Sequence, residues 1–358
     1  MDVPVIRRSL ALHSPLRRKP HDLLRQWVDL VGPGTSPEEP VATLEERMAE
    51  LFAAPAALFF PTGTMAQQVA LRIHAERRGR WTFAGHPHVH LDNWELQGYN
   101  AVHGLRFHAA CDRNQLMTTA DLDAIGEPLA AVVWELPQRD LGGLLPEWAQ
   151  LREQVELARS RGAAVHLDGG RIFEAQPYYD RPHAQIAGLF DTAYVSLYKG
   201  LGGVRDAVLV GDAETMAEAA VWRKRLGGAI PDAWPLALGA LAGLDRLVPR
   251  MAEFRDHAVA IAAELNADGT VRAFPDPPQT SLFHVHVPAA KAAVERAGAQ
   301  MIAEHGTQLF YKVRSSPDPS RCAFEISVGE NAMEFSPAEV VELVRELVER
   351  AQAGWAGR

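Results

Sequence analysis

Short apolar runs alternate along this chain with longer stretches in which apolar residues recur at helical spacing. An alternation of this kind is typical of an α/β fold with a mostly parallel sheet. The apolar runs predict strands at Ala57–Phe60, Ala130–Glu135, Ala163–Leu167, Thr192–Ser196 and Ala207–Val210. Helical spacing predicts helices over Pro146–Arg161 and Glu214–Arg225, with Pro146 in a first helical turn.

The pattern changes after Asp245, where a long amphipathic stretch is followed by the proline-rich FPDPP segment. We therefore expect two domains: a large one over residues 1–245 and a smaller α/β one over residues 246–358. The N-terminal segment is expected to pack on the small domain. In that domain the pattern predicts strands at Ser281–Val287 and Ala323–Val328 and helices at Arg250–Leu265, Ala289–His305 and Pro337–Gln352.

Composition narrows the class of protein. The 358 residues are 47% hydrophobic and carry a formal net charge of −9, without a Lys/Arg-rich run. This charge balance argues against a nucleic-acid or anionic-membrane partner and favours a small-molecule one.

No stretch reaches the roughly 18 apolar residues of a membrane span, and the N-terminus has no apolar signal core. Cys111 and Cys322 are far apart and are expected to be reduced. The expected location is the cytoplasm.

The segment around Lys199 indicates covalent chemistry. An apolar strand runs through Ser196 into Lys199, and the glycines that follow allow a tight turn and a close approach to a ligand. A lysine at a buried strand end loses hydration, which favours the neutral amine that forms an imine with an aldehyde. Lys199 is therefore predicted to be a nucleophile.

Two further segments of the sequence would suit a cofactor that carries an aldehyde. Asp168 and Arg171 follow an apolar strand directly, at the carboxyl edge where open α/β sheets bind ligands. A carboxylate there would keep a pyridine nitrogen protonated. Gly63 and Thr64 begin an Ala-rich helix after a strand, and the N–H groups of a helix N-terminus bind anions such as phosphate.

Three histidines, His86, His88 and His90, recur at period two and predict one face of an extended strand. A metal site is one interpretation, although Pro87 interrupts the strand and a complete ligand set is not evident. The alternative is an imidazole that stacks on a cofactor ring or acts as a general base. We predict no metal ligand.

The order of these motifs resembles the threonine aldolase and β-eliminating lyase family. Six segments occur in the family's order over residues 40–230: PTGTMAQ, the histidine segment with Glu95, Trp134-Glu135, HLDGGRIFEA, SLYKGLGG and WRKRLGG. The resemblance implies a pyridoxal-phosphate (PLP) enzyme of fold type I, with a mostly parallel seven-stranded sheet and active sites at the interface of a homodimer or homotetramer.

The resemblance also implies roles for individual residues. Lys199 would hold the cofactor as a Schiff base, Asp168 would contact the ring nitrogen and Arg171 the phenolic oxygen, and Gly63 and Thr64 would bind the phosphate. His90, five residues before Glu95, matches the ring-stacking residue, and His88 competes for the catalytic role. The other residues expected at the cofactor are Glu135 and Ser196. Lys224 matches a basic pair near the active site of such aldolases.

The chain departs from the family where the substrate would bind. Gln138 stands in place of a histidine, and glutamine can form hydrogen bonds but cannot take a proton at neutral pH. Glu325 aligns with the arginine that binds the substrate carboxylate, and a carboxylate there would repel it. Arg314 or Arg321 could supply the missing guanidinium. The predicted substrate-binding residues are therefore Gln138, Lys224, Arg314 and Arg321.

The predicted function is a PLP-dependent lyase that cleaves the Cα–Cβ bond of a β-hydroxy amino acid, like a threonine aldolase. The first alternative is β-elimination from another amino acid. Two more distant alternatives are a non-catalytic metabolite-binding protein with the same fold, and a metal-dependent hydrolase built on His86, His88 and His90.

Overall fold

The computed structural model describes residues 5–12, 16 and 19–353. Within these residues the strands are β1 (Arg8–Ser9), β2 (Ala56–Phe60), β3 (Thr82–Gly85), β4 (Arg106–Ala109), β5 (Ala131–Glu135), β6 (Ala164–Gly169), β7 (Thr192–Ser196), β8 (Ala207–Gly211), β9 (Arg272–Phe274), β10 (Leu282–Val287), β11 (Thr307–Gln308), β12 (Val313–Ser315) and β13 (Cys322–Ser327).

The α-helices of the described residues are α1 (Pro20–Val28), α2 (Glu39–Phe52), α3 (Gly63–Arg78), α4 (His90–Asn93), α5 (Gly98–His103), α6 (Thr119–Asp123), α7 (Trp148–Ser160), α8 (Ile172–Tyr179), α9 (His183–Ala187), α10 (Ala213–Arg225), α11 (Trp234–Leu247), α12 (Met251–Asp268), α13 (Lys291–His305) and α14 (Pro337–Ala353). None of them combines the length and the hydropathy that crossing a bilayer requires.

The chain forms two compact units. The first spans residues 24–249, and the second combines the described residues before Leu24 with those from Arg250 onwards. A seven-stranded sheet in the order β2-β8-β7-β6-β5-β3-β4 lies in the first unit. β8 runs antiparallel to both of its neighbours, β2 and β7, and the other strand pairs of this sheet are parallel. The predicted α/β class with a mostly parallel seven-stranded sheet is confirmed.

The central strands are buried on both faces. Every residue of β6 and β7 is buried, as are the first four residues of β5. Continuous apolar runs are typical of parallel strands with helices on both sides. α7 buries Leu151, Gln154, Val155 and Ala158, which lie on one face at helical spacing. The predicted Pro146 start of this helix is wrong by two residues, because Trp148 is its first helical residue.

The register of the sheet determines which residues meet at its carboxyl edge. Glu135 of β5 is directly opposite Asp168 of β6, and Asp168 is opposite Tyr194 of β7. Since the three strands are parallel, their polar ends lie side by side where each chain leaves the sheet.

The second unit contains a four-stranded antiparallel sheet in the order β12-β13-β10-β9. Three long helices, α12, α13 and α14, belong to the same unit, and α14 contacts both of the others. The N-terminal strand β1 pairs in parallel with β11, and Nη1 of Arg8 donates a 2.5 Å hydrogen bond to Oε1 of Glu339 on α14. These contacts attach the start of the chain to this unit.

Candidate active site

A cleft lies at the carboxyl edge of β5 and β6. It holds about 360 Å³ of space, part of it open to solvent, and its lining residues are His88, His90, Trp94, Glu135, Pro137, Arg139, Asp140, Asp168, Gly170, Arg171 and Lys199. Six of these residues were predicted from the sequence: Lys199, His90, His88, Glu135, Asp168 and Arg171. The fold therefore brings together most of the predicted cofactor site.

Lys199 and Asp168 both lie close to Gly170. A Cβ atom at Gly170 would lie 2.8 Å from Nζ of Lys199 and 3.1 Å from Oδ1 of Asp168. A side chain at Gly170 would therefore displace the end of Lys199 and press on the carboxylate of Asp168. The N–H of Gly170 also donates a 3.0 Å hydrogen bond to Oδ1 of Asp168, which fixes the orientation of that buried carboxylate.

The phenol of Tyr194 connects this pair with the start of α3. Its ring is 3.5 Å from the position of a Cβ at Gly170, and its hydroxyl would collide with a Cβ at Gly63. Gly63 and Thr64 are the first two residues of α3, whose leading N–H groups have no acceptor within the helix. Thr62 caps this helix by accepting a 3.2 Å hydrogen bond from the N–H of Met65. Tyr194 was not predicted as a site residue, because in the sequence it is simply one residue of an apolar strand.

Arg171 is paired within the protein. Its Nη1 donates hydrogen bonds of 2.9 and 3.1 Å to the two carboxylate oxygens of Glu174, and both side chains are buried. Glu174 was not predicted from the sequence, although its position three residues after Arg171, where a helix brings side chains together, could have indicated the pair.

His90 is held by a chain of polar contacts. Its Nδ1 is 2.9 Å from Oε1 of Glu95, and the other carboxylate oxygen of Glu95 accepts a 2.8 Å hydrogen bond from Gln68. The carboxylate of Glu95 accepts the Nδ1 proton, so Nε2 of His90 is the nitrogen that can accept a proton. Side-chain exposure is 1% for Glu95 and 31% for His90, so the carboxylate is buried while the imidazole can meet a ligand.

The histidines do not line one strand face, and that prediction is wrong. β3 ends at Gly85, His86 to Val89 form a turn, and His90 begins α4. The Asn93 side chain donates hydrogen bonds to the carbonyls of Pro87 and Val89, which stabilises this turn. The period-two spacing therefore reflects a turn rather than a strand.

His86 is used structurally. Its Nε2 is 2.9 Å from the carbonyl of Gln115, and its Nδ1 accepts a 3.0 Å hydrogen bond from the N–H of His88. Burial lowers the pKa of His86 to about 4, so its ring is neutral near pH 7. Both ring nitrogens already have partners, and no cluster of three metal-binding side chains occurs within residues 5–12, 16 and 19–353. This arrangement does not support the hydrolase alternative.

Glu135 lies between the cleft and a second small cavity. Its Oε2 accepts a 3.0 Å hydrogen bond from Nε2 of Gln138, and its Oε1 accepts one of 3.3 Å from the N–H of Arg139. Burial, together with the nearby carboxylates of Asp168 and Asp140, holds the pKa of Glu135 well above its usual range. Gln138 is buried and lines the second cavity rather than the cleft, so it reaches the cleft only through Glu135.

The remaining predicted residues lie elsewhere. Ser196 is buried at the end of β7, three residues before Lys199, and Lys224 is exposed near the end of α10. Arg314 and Arg321 belong to the second unit. There, Nη2 of Arg314 is 3.6 Å from Oε2 of Glu325, and Arg321 is exposed just before β13.

Comparison with known proteins agrees with this architecture. The family model described as β-eliminating lyase matches residues 35–290. Low-specificity L-threonine aldolase 1 of Arabidopsis thaliana is 28% identical over 282 residues, which cover 73% of this chain and 76% of that protein.

Two solved structures align over nearly the whole chain. A Listeria monocytogenes protein assigned as an L-allo-threonine aldolase is 32% identical, covers 96% of both chains and gives a TM-score of 0.87. An Exiguobacterium protein assigned as an aromatic amino acid β-eliminating lyase/threonine aldolase is 30% identical, covers 97% of this chain and 98% of its own, and gives a TM-score of 0.88.

The fold is that of the PLP enzymes of fold type I, as predicted. The chain belongs to the β-eliminating lyase family. Family membership confirms the predicted enzyme class, a lyase of the threonine aldolase type.

Proposed function

We propose that the cleft binds PLP and that the protein cleaves the Cα–Cβ bond of a β-hydroxy amino acid to give glycine and an aldehyde. The observation that carries the proposal is that Lys199 and Asp168 line the same cleft and both lie close to Gly170. An amine and a buried carboxylate at the carboxyl edge of a parallel sheet can serve the two ends of this cofactor, one for covalent attachment and one for the proton on the ring nitrogen. The names of the Arabidopsis and Listeria relatives support cleavage rather than another reaction.

The residues present fit the cofactor. Lys199 would bind its aldehyde carbon covalently through Nζ, and Asp168 would hold a proton on the ring nitrogen. The N–H groups of Gly63 and Thr64 would bind the phosphate, and Arg171 would face the phenolic oxygen. Ser196 and Glu135 would also lie against the cofactor. When bound, the cofactor supplies an electron sink for the bond that breaks.

His90 would move the proton in the cleavage step. With Nδ1 bound to Glu95, Nε2 can accept the proton of the substrate's β-hydroxyl. The O–H electron pair would then form the aldehyde carbonyl as the Cα–Cβ bond breaks, the electrons of that bond would stay with Cα, and a proton added there would give glycine. His88 also lines the cleft, with Nδ1 4.0 Å from Oδ2 of Asp140, and is the second candidate for this role.

β-Elimination is the alternative that the family model favours by its description. In that reaction, a base removes the Cα proton and a β substituent leaves. Lys199 Nζ is the base best placed for it, because it would be released when the substrate amine takes its place.

We further propose that the protein acts as a homodimer or homotetramer with this cleft near the subunit interface. Trp94 lines the cleft and Leu96 follows it by two residues, and their exposure is 42% and 92%. Apolar side chains this exposed are typical of a surface that another subunit covers.

Product analysis separates the two reactions. Purified protein reconstituted with PLP is incubated with L-threonine, L-allo-threonine, L-phenylserine and L-serine. Release of glycine together with acetaldehyde or benzaldehyde is the expected result. Release of a keto acid and ammonia without aldehyde would contradict cleavage and support elimination.

Glu95→Gln should lower aldehyde release by at least 10-fold while cofactor binding persists, because His90 loses its charged partner.

A further inference from the structure

Three buried polar side chains, His74, Thr192 and His166, form a hydrogen-bonded group that the mechanism above does not use. Nε2 of His74 on α3 is 2.9 Å from Oγ1 of Thr192 on β7, and Nδ1 of His166 on β6 is 2.8 Å from the same oxygen. None of the three residues is more than 3% exposed. We propose that this histidine bridge is a positioning device for Asp168, which keeps its carboxylate ionised for the ring nitrogen of the cofactor. The inference rests on the proposed function.

The sheet places the histidine bridge on the same face as Asp168. His166 and Asp168 are two residues apart on β6, so their side chains leave the strand on one face, about 7 Å apart along it. Thr192 is directly opposite His166, and Tyr194 is directly opposite Asp168. The helix α3, which carries His74, contacts both β6 and β7. The bridge therefore lies one step along the sheet from the residues of the proposed cofactor site.

The hydroxyl of Thr192 couples the protonation of the two imidazoles. A hydroxyl has one hydrogen, so it can donate to only one of the two ring nitrogens that face it. The other nitrogen must carry a hydrogen and donate it to Oγ1. Burial lowers the pKa of His74 and of His166 to about 3, so both rings are neutral near pH 7. The tautomer and orientation of one ring therefore depend on those of the other while the hydroxyl is present.

The imidazole of His166 is the end of the bridge that acts on Asp168. In the proposed arrangement, His74 donates to Thr192 and Thr192 donates to His166, which leaves the hydrogen of His166 on Nε2. This nitrogen is buried and has no hydrogen bond to a described residue, and buried atoms of that kind are uncommon in proteins. Burial lowers the pKa of His166, and the carboxylate of Asp168 acts in the opposite direction. Since this attraction is mutual, a fixed N–H on the imidazole favours the ionised form of Asp168.

A neutral imidazole suits this task better than a charged or an apolar side chain. A cation in place of His166 would pair with Asp168 and compete with the protonated ring nitrogen for its carboxylate. An apolar residue would leave the carboxylate, which is 2% exposed, with less to stabilise its charge. His166 supplies polarity without a net charge.

The test compares two cofactors that differ only at the ring nitrogen. Cofactor-free full-length protein is titrated with PLP and with 1-deaza-PLP, in which a C–H group replaces that nitrogen, and the change in absorbance gives each dissociation constant. Thr192→Val keeps the shape of the side chain but removes the hydroxyl. It should raise the dissociation constant of PLP by about 10-fold and that of the analogue by less than about 3-fold. Thr192→Ser keeps the hydroxyl and should bind PLP within about 3-fold of wild type.

A matched control and a double variant separate positioning from general stability. Thr280→Val removes another buried hydroxyl, which bonds to the backbone of Leu282 in the second unit, and should leave the ratio of the two constants unchanged. His166→Leu should weaken binding of PLP but not of the analogue. Adding Thr192→Val to His166→Leu should weaken PLP binding by less than about 2-fold more, because Thr192 acts through His166.

An unchanged ratio of the two dissociation constants in Thr192→Val, or full additivity of Thr192→Val and His166→Leu, would overturn the proposal. If Thr192→Val does not fold, His74→Leu removes the other end of the bridge and is compared on the same two cofactors. A wild-type protein that binds neither cofactor would overturn the proposed function itself, and the missing absorbance change identifies that failure.

Discussion

The guanidinium of Arg171 donates hydrogen bonds to both carboxylate oxygens of Glu174, at 2.9 and 3.1 Å, in a pair of which each side chain is only 3% exposed. The pair fixes the direction of Arg171 and balances its charge before any ligand binds. Arg171 is thus held in place at the cleft, where the proposed function requires it to face the cofactor's phenolic oxygen.

Loss of Glu174 should therefore destabilise the fold. Glu174→Gln removes the negative charge that pairs with the buried guanidinium of Arg171, which should lower the free energy of unfolding by about 3 kcal/mol. Urea unfolding of the cofactor-free protein measures this change. Glu156→Gln is the matched control, because Glu156 pairs with Arg152 on an exposed helix face and should change stability by less than about 1 kcal/mol. Equal losses in the two variants would contradict the argument.

Asp206 should make stability depend on pH. Its side chain is fully buried, neither carboxyl oxygen has a hydrogen-bond partner among the described residues, and burial raises its pKa from 3.8 to about 8. The folded state therefore binds the proton more tightly than the unfolded state does. The resulting stability is complete below about pH 4 and is lost as the pH rises through about 8.

Asp206→Asn removes this titration while keeping the size of the side chain. The variant should gain stability relative to wild type as the pH rises from 5 to 8, by up to about 1.4 kcal/mol per pH unit. Urea unfolding at a series of pH values measures the difference in the free energy of unfolding between Asp206→Asn and wild type. Asp232→Asn, at an exposed site, serves as the control. Parallel pH profiles for Asp206→Asn and wild type would show that Asp206 does not titrate in this way.

A methyl group at Gly63 should weaken cofactor binding. A Cβ atom there would collide with the phenol of Tyr194, so the first turn of α3 must shift. Gly63→Ala should therefore raise the dissociation constant of PLP by at least about 10-fold, because the N–H groups of that turn lose their alignment with the phosphate. Gly126→Ala, where a Cβ meets nothing within 4 Å, should leave it unchanged. Unaltered cofactor affinity in Gly63→Ala would argue against a phosphate site at this helix start.

The central strands could be predicted well from the sequence. Thr192–Ser196 was predicted with the bounds it has in the structure, because a strand buried on both faces leaves a continuous apolar run. The histidine segment was predicted less well. There, side-chain bonds from Asn93 to the backbone stabilise a turn, and such local bonds leave no periodicity in the sequence.

The site could be predicted only in part. Glu135 and Asp168 lie at the ends of apolar strands and Lys199 follows a third, so their convergence at one sheet edge follows from the fold class. The position of Arg139 depends on a turn closed by Gln138 and Leu144, and the role of Tyr194 depends on packing between two glycines. Contacts of this kind arise from tertiary structure, and periodicity does not reveal them.

Reductive labelling shows whether Lys199 is the residue that binds the cofactor. Purified protein incubated with PLP is treated with borohydride, digested and mapped by mass spectrometry, beside a Lys199→Ala variant. We expect a stable phosphopyridoxyl group on the wild-type peptide that contains Lys199, and none in the variant. A label on another lysine, or equal labelling of wild type and Lys199→Ala, would contradict it.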